Sequence, residues 1–326
     1  MLSKPSLVLN ITENCNMKCL YCPPYGENLF KGKGQIDLTL AKSLITLAKE
    51  NKFQTVRLTG GEPLLYPLLI NELLEECGSS FERLILHTNG TLLNGHFDWL
   101  RKYKSNIILK VSFDSLNPNE FFNLTQSTNL NIIQNNIDIA VSMGFLVEIN
   151  TVLVDQSLDS IKMLISHFVN KKVPLKMLTL SNYYRKVKAE YKFDTDGLIY
   201  YLESISEKKT KEQLSGSRGI EMLKYIINDS IVSFIDHSCK SSKTPKKCYF
   251  NTCIDTCELF PCDSGALSIS LNTEGFLSIC RGNKKHGFNA FDMSELDIIK
   301  GFNILLKQFE NCISINVNEF ELQRQE

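Results

Sequence analysis

Between Leu7 and Leu180, short runs rich in apolar and β-branched residues alternate with stretches whose apolar residues recur three or four apart. The runs are Leu7 to Ile11, Thr55 to Thr59, Leu84 to His87, Ile107 to Phe113, Leu146 to Leu153 and Leu175 to Leu180, nearly continuous in apolar residues as doubly buried strands are. Leu38 to Lys49, Leu68 to Glu76, Phe97 to Tyr103, Asn119 to Met143 and Ser160 to Asn170 read as the intervening helices. Strand-then-helix repeats require right-handed crossovers and a parallel sheet, either open and doubly wound or curved into part of a barrel. In both forms, reactive groups collect at the carboxyl ends of the strands.

The alternation stops near Tyr183. Ser206 to Arg218 is charged, contains Gly216 and reads as a surface connection before a helix around Ile220 to Ile235. A cysteine-rich part begins at Cys239, where Lys240, Lys243, Lys246 and Lys247 read as a solvated loop. The expected division is therefore 1–205, a connecting helical segment 206–238, and 239–326. Lys plus Arg and Asp plus Glu number 36 each, so the bulk field that would draw nucleic acid or an anionic membrane is absent. No apolar run approaches the ~18 residues of a membrane span, and Met1 to Ser6 lacks a secretion signal's apolar stretch. A cytoplasmic protein without nucleic-acid or membrane partners is expected.

In a reducing compartment, the 11 cysteines point to metal or redox chemistry rather than disulfides. Cys77 lies in an apolar helical stretch and reads as a small core residue. Cys15, Cys19 and Cys22 follow the first strand directly, at the edge where active sites form. Structural zinc sites and ordinary iron-sulfur clusters take four protein ligands, whereas this motif supplies three, with no histidine closer in sequence than His87. Three ligands leave one metal position open, as catalytic centres do. The alternatives are a zinc-binding interaction module completed by a distant cysteine and a ferredoxin-like electron carrier.

The CxxxCxxC spacing, with Tyr21 before its last cysteine, resembles the signature of radical S-adenosylmethionine enzymes. That resemblance implies a partial parallel (β/α)6 barrel of α/β class, with a four-iron, four-sulfur cluster on Cys15, Cys19 and Cys22 whose fourth iron is chelated by S-adenosylmethionine. It implies cofactor contacts from Gly60, Gly61, Glu62 and Pro63 after the second strand, where two glycines permit close approach and a carboxylate can meet an ammonium group. Asn89 after the third strand, and Ser112 and Asp114 after the fourth, place short polar groups at the same edge. The wording of Arg57 to Leu65 and of Ser112 to Pro118 is similar to the GTP cyclase branch of molybdenum-cofactor synthesis.

That branch ends in a second cysteine motif from which this chain departs. The position expected for a ligand, counted back from Cys280, holds Ala266. Instead Cys262, Gly275 and Cys280 are spaced like the opening of the SPASM and twitch auxiliary-cluster domains, with Ala266 to Leu271 and Phe276 to Ile279 as a hairpin about Asn272 to Gly275. The expected auxiliary cluster takes Cys262, Cys280 and Cys312, completed by Cys257, Cys253 or Cys248, with Cys257 preferred. The implied activity is reductive cleavage of S-adenosylmethionine to a 5′-deoxyadenosyl radical that abstracts hydrogen from a nucleoside, sugar or similar small molecule. The runner-up is maturation of a ribosomally made peptide by crosslinking or epimerisation. Either needs an electron donor such as flavodoxin or ferredoxin.

Overall fold

The computed structural model describes residues 5–22, 34–180, 193–213, 221–237, 268–279 and 286–322. In chain order its elements are β1 (Leu7–Thr12), α1 (Leu38–Glu50), β2 (Thr55–Gly60), α2 (Pro67–Cys77), β3 (Arg83–Thr88), α3 (Phe97–Leu100), β4 (Ile107–Ser112), α4 (Pro118–Thr125), α5 (Leu130–Ser142), β5 (Leu146–Leu153), α6 (Leu158–Asn170) and β6 (Leu175–Thr179). There follow α7 (Thr195–Ile205), β7 (Lys208–Gln213), β8 (Glu221–Ile227), β9 (Ser230–Ile235), β10 (Ile269–Leu271), β11 (Phe276–Ser278), β12 (Gly287–Asn289) and α8 (Glu295–Leu322).

Strands β1 to β6 lie side by side in chain order and all in parallel. A doubly wound sheet reverses its strand order at a switch point; this one does not, so its crossovers wind one way, as in a barrel. The core lies between the sheet's outer face and those crossover helices. Val56, Leu58, Leu84, Leu86, Leu109, Val111, Ile149 and Met177 join it from the strands, and Leu44, Ile45, Ile70, Leu73, Ile133, Ile137, Leu164 and Ile165 from the helices. Helix starts are fixed by side-chain caps: Asp37 accepts from the Leu40 amide at 2.8 Å, Asn117 from Asn119 at 2.9 Å and Ser157 from Ser160 at 3.1 Å.

Strand register defines an inner face. His87, Lys110 and Glu148 form one row across β3, β4 and β5; Ser112, Asn150, Lys176 and Ser233 form the next across β4, β5, β6 and β9. Arg57 pairs with Ile85, two residues before His87, so it shares that face. Arg57 on β2 nevertheless acts electrostatically on Lys176 on β6. Four strand spacings would separate them by about 19 Å in a flat sheet, so the sheet is curled, with the two strands facing across its hollow.

Both edges of this partial barrel are extended. β10 adds in parallel beside β1 and continues antiparallel into β11 and β12, while β9 adds in parallel beside β6 and continues antiparallel into β8 and β7. The hairpin expected about Asn272 to Gly275 is present from Ile269, with Gly275 at φ +74°. The helix expected around Ile220 to Ile235, and with it the helical character of 206–238, is overturned: the described residues there form β7, β8 and β9. Asn228 and Asp229 both take positive φ, 47° and 59°, which is the two-residue hairpin turn that matches strand twist, and Ile, Val and Tyr favour strands on either side. The single helix expected over Asn119 to Met143 is two, because Gln126 adopts a left-handed conformation at φ 53° and closes α4.

Cys257, Cys262 and Cys280 lie outside the described residues, as do Cys239, Cys248, Cys253 and the lysine run from Lys240 to Lys247. Cys312 falls within α8, beyond the last residue whose side chain is described. Among the described residues no helix is long and apolar enough to cross a membrane.

Candidate active site

A β-bulge after Asn10 bends β1 where the cysteine loop leaves the sheet. The loop is held on three sides. Toward β2, the Gly61 amide donates to the Thr12 carbonyl at 2.6 Å and the Glu62 amide to the Asn14 carbonyl at 2.8 Å. Toward α4, Lys18 and Leu20 amides donate to the Thr125 and Leu124 carbonyls at 3.2 and 2.8 Å. Toward β3, the Asn89 side-chain amide donates to Asn16 Oδ1 at 2.7 Å, and Asn16 Nδ2 donates to Thr91 Oγ1 at 2.8 Å. Met17 is buried in the core and anchors the loop's middle.

Cys15 and Cys22 are thereby left exposed, and Cys19 partly so. Cys15 Sγ accepts from the Met17 amide at 3.4 Å and from Asn89 Nδ2 at 3.7 Å. Cys19 feels the charge of both other cysteines. Burial raises the Cys15 thiol above its usual range and raises that of Cys19 further, with nearby Asp114 adding to the latter. Among the described residues no three His, Cys, Asp or Glu side chains converge on the position of a single metal ion. Soft thiol donors, exposed at the loop surface and receiving N–H bonds of the kind that tune cluster sulfurs, fit an iron-sulfur group.

The predicted Gly60, Gly61, Glu62 and Pro63 meet this loop. Gly60 has φ +129°, and a Cβ there would overlap the Thr12 carbonyl oxygen; a Cβ on Gly61 would overlap that of Asn14. Both positions therefore need glycine to let the two backbones touch. Glu62 is fully buried. Its Oε1 accepts from the Leu64 amide at 3.0 Å and Thr88 Oγ1 at 2.8 Å, and its Oε2 from the Asn89 amide at 2.7 Å. Burial pushes its carboxyl up to about 7 against the pull of those three donors. It is a brace between the turn after β2 and the end of β3. Pro63 starts the short turn of helix that follows. Removing the brace in Glu62→Ala leaves three donors without acceptors, at ~1–3 kcal/mol for such a group; a loss of about 3 kcal/mol is expected in urea unfolding.

Asp114 is a second brace, 2% exposed. Its carboxylate accepts from the Tyr21 hydroxyl, inside the cysteine motif, and from the Val152 amide on β5 at 2.8 Å. Burial raises its carboxyl to about 6, opposed by those same bonds. Tyr21 packs on Leu124, Val154 and Leu180, so the motif is tied to the far strands as well. Ser112 stands exposed at the end of β4, beside Asn150. The structure thus brings Cys15, Cys19, Cys22, Gly60, Gly61, Glu62, Asn89 and Asp114 into one bonded or electrostatically coupled group and sets Ser112 on the inner face beside it.

Sequence reasoning left out the charges within the strands. Arg57, Lys110, Glu148 and Lys176 each interrupt an apolar run, and that interruption is the signal that marks the inner face. Lys110 pairs with Glu148 at 2.8 Å. Burial draws the Lys176 ammonium down to about 7, with Lys110 and Arg57 adding to the effect. Its charged form therefore penalises the fold most below pH 7, and the penalty fades as pH rises toward the ordinary lysine value of 10.5. Lys176→Met is expected to raise the melting temperature at pH 6 to 7, with the gain shrinking by pH 10; calorimetry across that range checks it.

Residues 9–168 match the Radical SAM superfamily model. A GTP 3′,8-cyclase of Synechocystis sp. is 33% identical over 149 residues, covering 45% of this chain and 45% of that protein. The subtilosin biosynthesis protein AlbA of Bacillus subtilis is 32% identical over 108 residues, covering 33% of this chain and 23% of that protein. The matched stretch spans less than half the length of these relatives. In fold, the chain is similar to Streptococcus suis SuiB bound to S-adenosylmethionine, with a TM-score of 0.66 at 19% identity over 91% of this chain and 65% of that one. It is also similar to anSMEcpe with bound AdoMet, with a TM-score of 0.56 at 14% identity over 90% of this chain and 83% of that one.

Proposed function

With a radical SAM domain over residues 9–168 as premise, we propose that the chain is an enzyme whose cluster ligands are Cys15, Cys19 and Cys22 and whose substrate is a nucleoside, sugar or similar small molecule. The observation that carries this reading is the braced three-cysteine loop at the carboxyl edge of the parallel sheet. When bound, the cluster and S-adenosylmethionine supply one-electron cleavage to methionine and a 5′-deoxyadenosyl radical, which takes a hydrogen atom from substrate carbon and leaves as 5′-deoxyadenosine.

The chain's own residues supply position and protection. Thr12, Gly60, Gly61 and Asn14 lock the loop to β2, Asn89 bonds one cluster thiol, and Asp114 fixes Tyr21 beside the others. Ser112, Asn150 and the inner-face charges line the hollow where substrate lies under the cofactor, so that the reactive carbon is close and water is excluded. Cys257, Cys262, Cys280 and Cys312 hold an auxiliary cluster in the 239–326 part, and a cytoplasmic flavodoxin or ferredoxin donates the electron. A second reading, peptide modification, is favoured by the likeness to AlbA and by the fold shared with SuiB, which has been seen bound to its precursor peptide SuiA.

The test is anaerobic reconstitution followed by dithionite and S-adenosylmethionine, with 5′-deoxyadenosine measured by mass spectrometry. Formation of 5′-deoxyadenosine, increased by nucleotides or sugar phosphates, supports the first reading. An increase with peptides alone supports the second. No 5′-deoxyadenosine overturns both.

A further inference from the structure

β10 lies in parallel beside β1, from Leu7 opposite Ile269 to Leu9 opposite Leu271. The turn that follows β10, Asn272 to Gly275, therefore leaves the sheet at the same carboxyl edge as the cysteine loop, on the side of β1 opposite β2. That turn is stiff. Asn272 Oδ1 accepts from the Glu274 and Phe276 amides at 3.0 and 2.8 Å, and the Gly275 carbonyl accepts from the Ala290 amide at 2.8 Å. The Phe291 ring lies where a Cβ on Gly275 would be. The elements that follow the turn are anchored in the core: Phe302 and Phe309 of α8 are fully buried, and the Phe302 ring centre lies 5.8 Å from that of Phe53. Thr273, at the turn's second position, is also fully buried. Its hydroxyl donates to a carboxylate oxygen of Glu13, across 260 positions of sequence.

We propose that Thr273 is a positioning residue for the radical site: by holding Glu13 it fixes the chain's entry to Cys15, so that the turn after β10 supplies one wall of the seat in which the cysteine loop lies. A hydroxyl-to-carboxylate bond is charge-assisted, and burial of the donor keeps water from competing for it. Glu13 lies between Thr12 and Asn14, whose carbonyls take the Gly61 and Glu62 amides from the β2 side. Three consecutive residues before the first thiol are thus clamped from both neighbouring strands, while Asn16 just beyond it is held by Asn89 and Thr91. The elements from β10 to α8 thereby form part of the frame of the first cluster's site. The proposal deepens the radical reading above and rests on it for the cluster and the cofactor, but the hold on the loop is a property of the fold.

Two readouts test it on the full chain: amide hydrogen exchange across residues 12–22 before reconstitution, and, after reconstitution and reduction with dithionite, the S-adenosylmethionine concentration that half-shifts the cluster's electron paramagnetic resonance signal. In Thr273→Val the loop is expected to exchange at least fivefold faster and the half-shift to need at least fivefold more S-adenosylmethionine. Thr273→Ser restores the hydroxyl and is expected to match wild type, as is Thr39→Val on the exposed face of α1. Should Thr273→Val exchange faster throughout the core, the partly exposed Glu13 decides: Glu13→Ala is expected to loosen the loop alone, and Glu13→Gln, which keeps an acceptor oxygen, to preserve it. The Glu13→Ala, Thr273→Val double variant is expected to be no worse than the worse single one, because both remove the same bond. Wild-type exchange and half-shift in Glu13→Ala overturn the proposal, as do additive effects in the double variant. Wild type with no S-adenosylmethionine-responsive signal but Thr273-dependent exchange keeps the hold on the loop and removes the radical reading. A responsive signal in wild type, with loop exchange indifferent to Thr273 and Glu13, does the reverse.

Discussion

Cys19→Ala is expected to remove roughly four irons and four sulfides per chain and to abolish 5′-deoxyadenosine formation, while leaving the fold intact. Cys19 is the middle thiol of the loop, partly buried and packed against the core's edge, and it senses both Cys15 and Cys22. Losing one sulfur from that position costs about 1 kcal/mol of packing, and the loop's anchors at Gly61, Glu62, Lys18, Leu20 and Asn89 do not involve its side chain. Two thiolates cannot hold a cubane that needs three protein ligands, so metal content and activity fall together while circular dichroism stays unchanged. A variant that keeps its iron and its activity would assign the ligands elsewhere.

Gly61→Ala is expected to be comparably damaging, though it alters no ligand. Its Cβ would overlap the Asn14 carbonyl oxygen, and backbone cannot swing aside as a flexible side chain can. Relief requires the turn after β2 to move away from the cysteine loop, breaking the 2.6 Å bond from Gly61 to Thr12 and the 2.8 Å bond from Glu62 to Asn14. The cost is on the order of 3 kcal/mol, with cluster reconstitution lost because the thiols are no longer held in place. Gly95→Ala is the control: nothing lies within 4 Å of its Cβ, and a change under about 0.5 kcal/mol is expected. Equal stability and equal iron in Gly61→Ala and Gly95→Ala would show that the close approach of the two backbones is not what holds the loop.

The parallel core was legible because the outer faces of its strands are buried under the helices and the inner faces are largely apolar toward the strand starts, so runs such as Ile107 to Val111 stand out from the amphipathic helices around them. The cysteine loop and the Gly60–Gly61 turn were legible as motifs, and their meeting follows from β1 lying beside β2. The roles of Glu62 and Asp114 were not, since a carboxylate at a strand end reads equally well as ligand-facing or as a brace until its donors are known. The strands β8 and β9 were misread because Leu223, Ile226 and Ile227 mimic helical spacing, and the deciding feature is the left-handed pair Asn228–Asp229. Pairing of β10 with β1 joins residues some 260 positions apart, which no local pattern encodes. The gathering of Arg57, Lys110 and Lys176 depends on the sheet's curl and is equally non-local.

The central claim, that Cys15, Cys19 and Cys22 hold a cluster with one iron left for S-adenosylmethionine, is tested most directly by electron paramagnetic resonance of the dithionite-reduced protein before and after adding the cofactor. In wild type a reduced-cluster signal should shift when S-adenosylmethionine is added, and that responsive signal should vanish in the Cys15→Ala, Cys19→Ala, Cys22→Ala triple variant while any auxiliary-cluster signal persists. A wild-type spectrum indifferent to S-adenosylmethionine, or a responsive signal surviving in the triple variant, would contradict it.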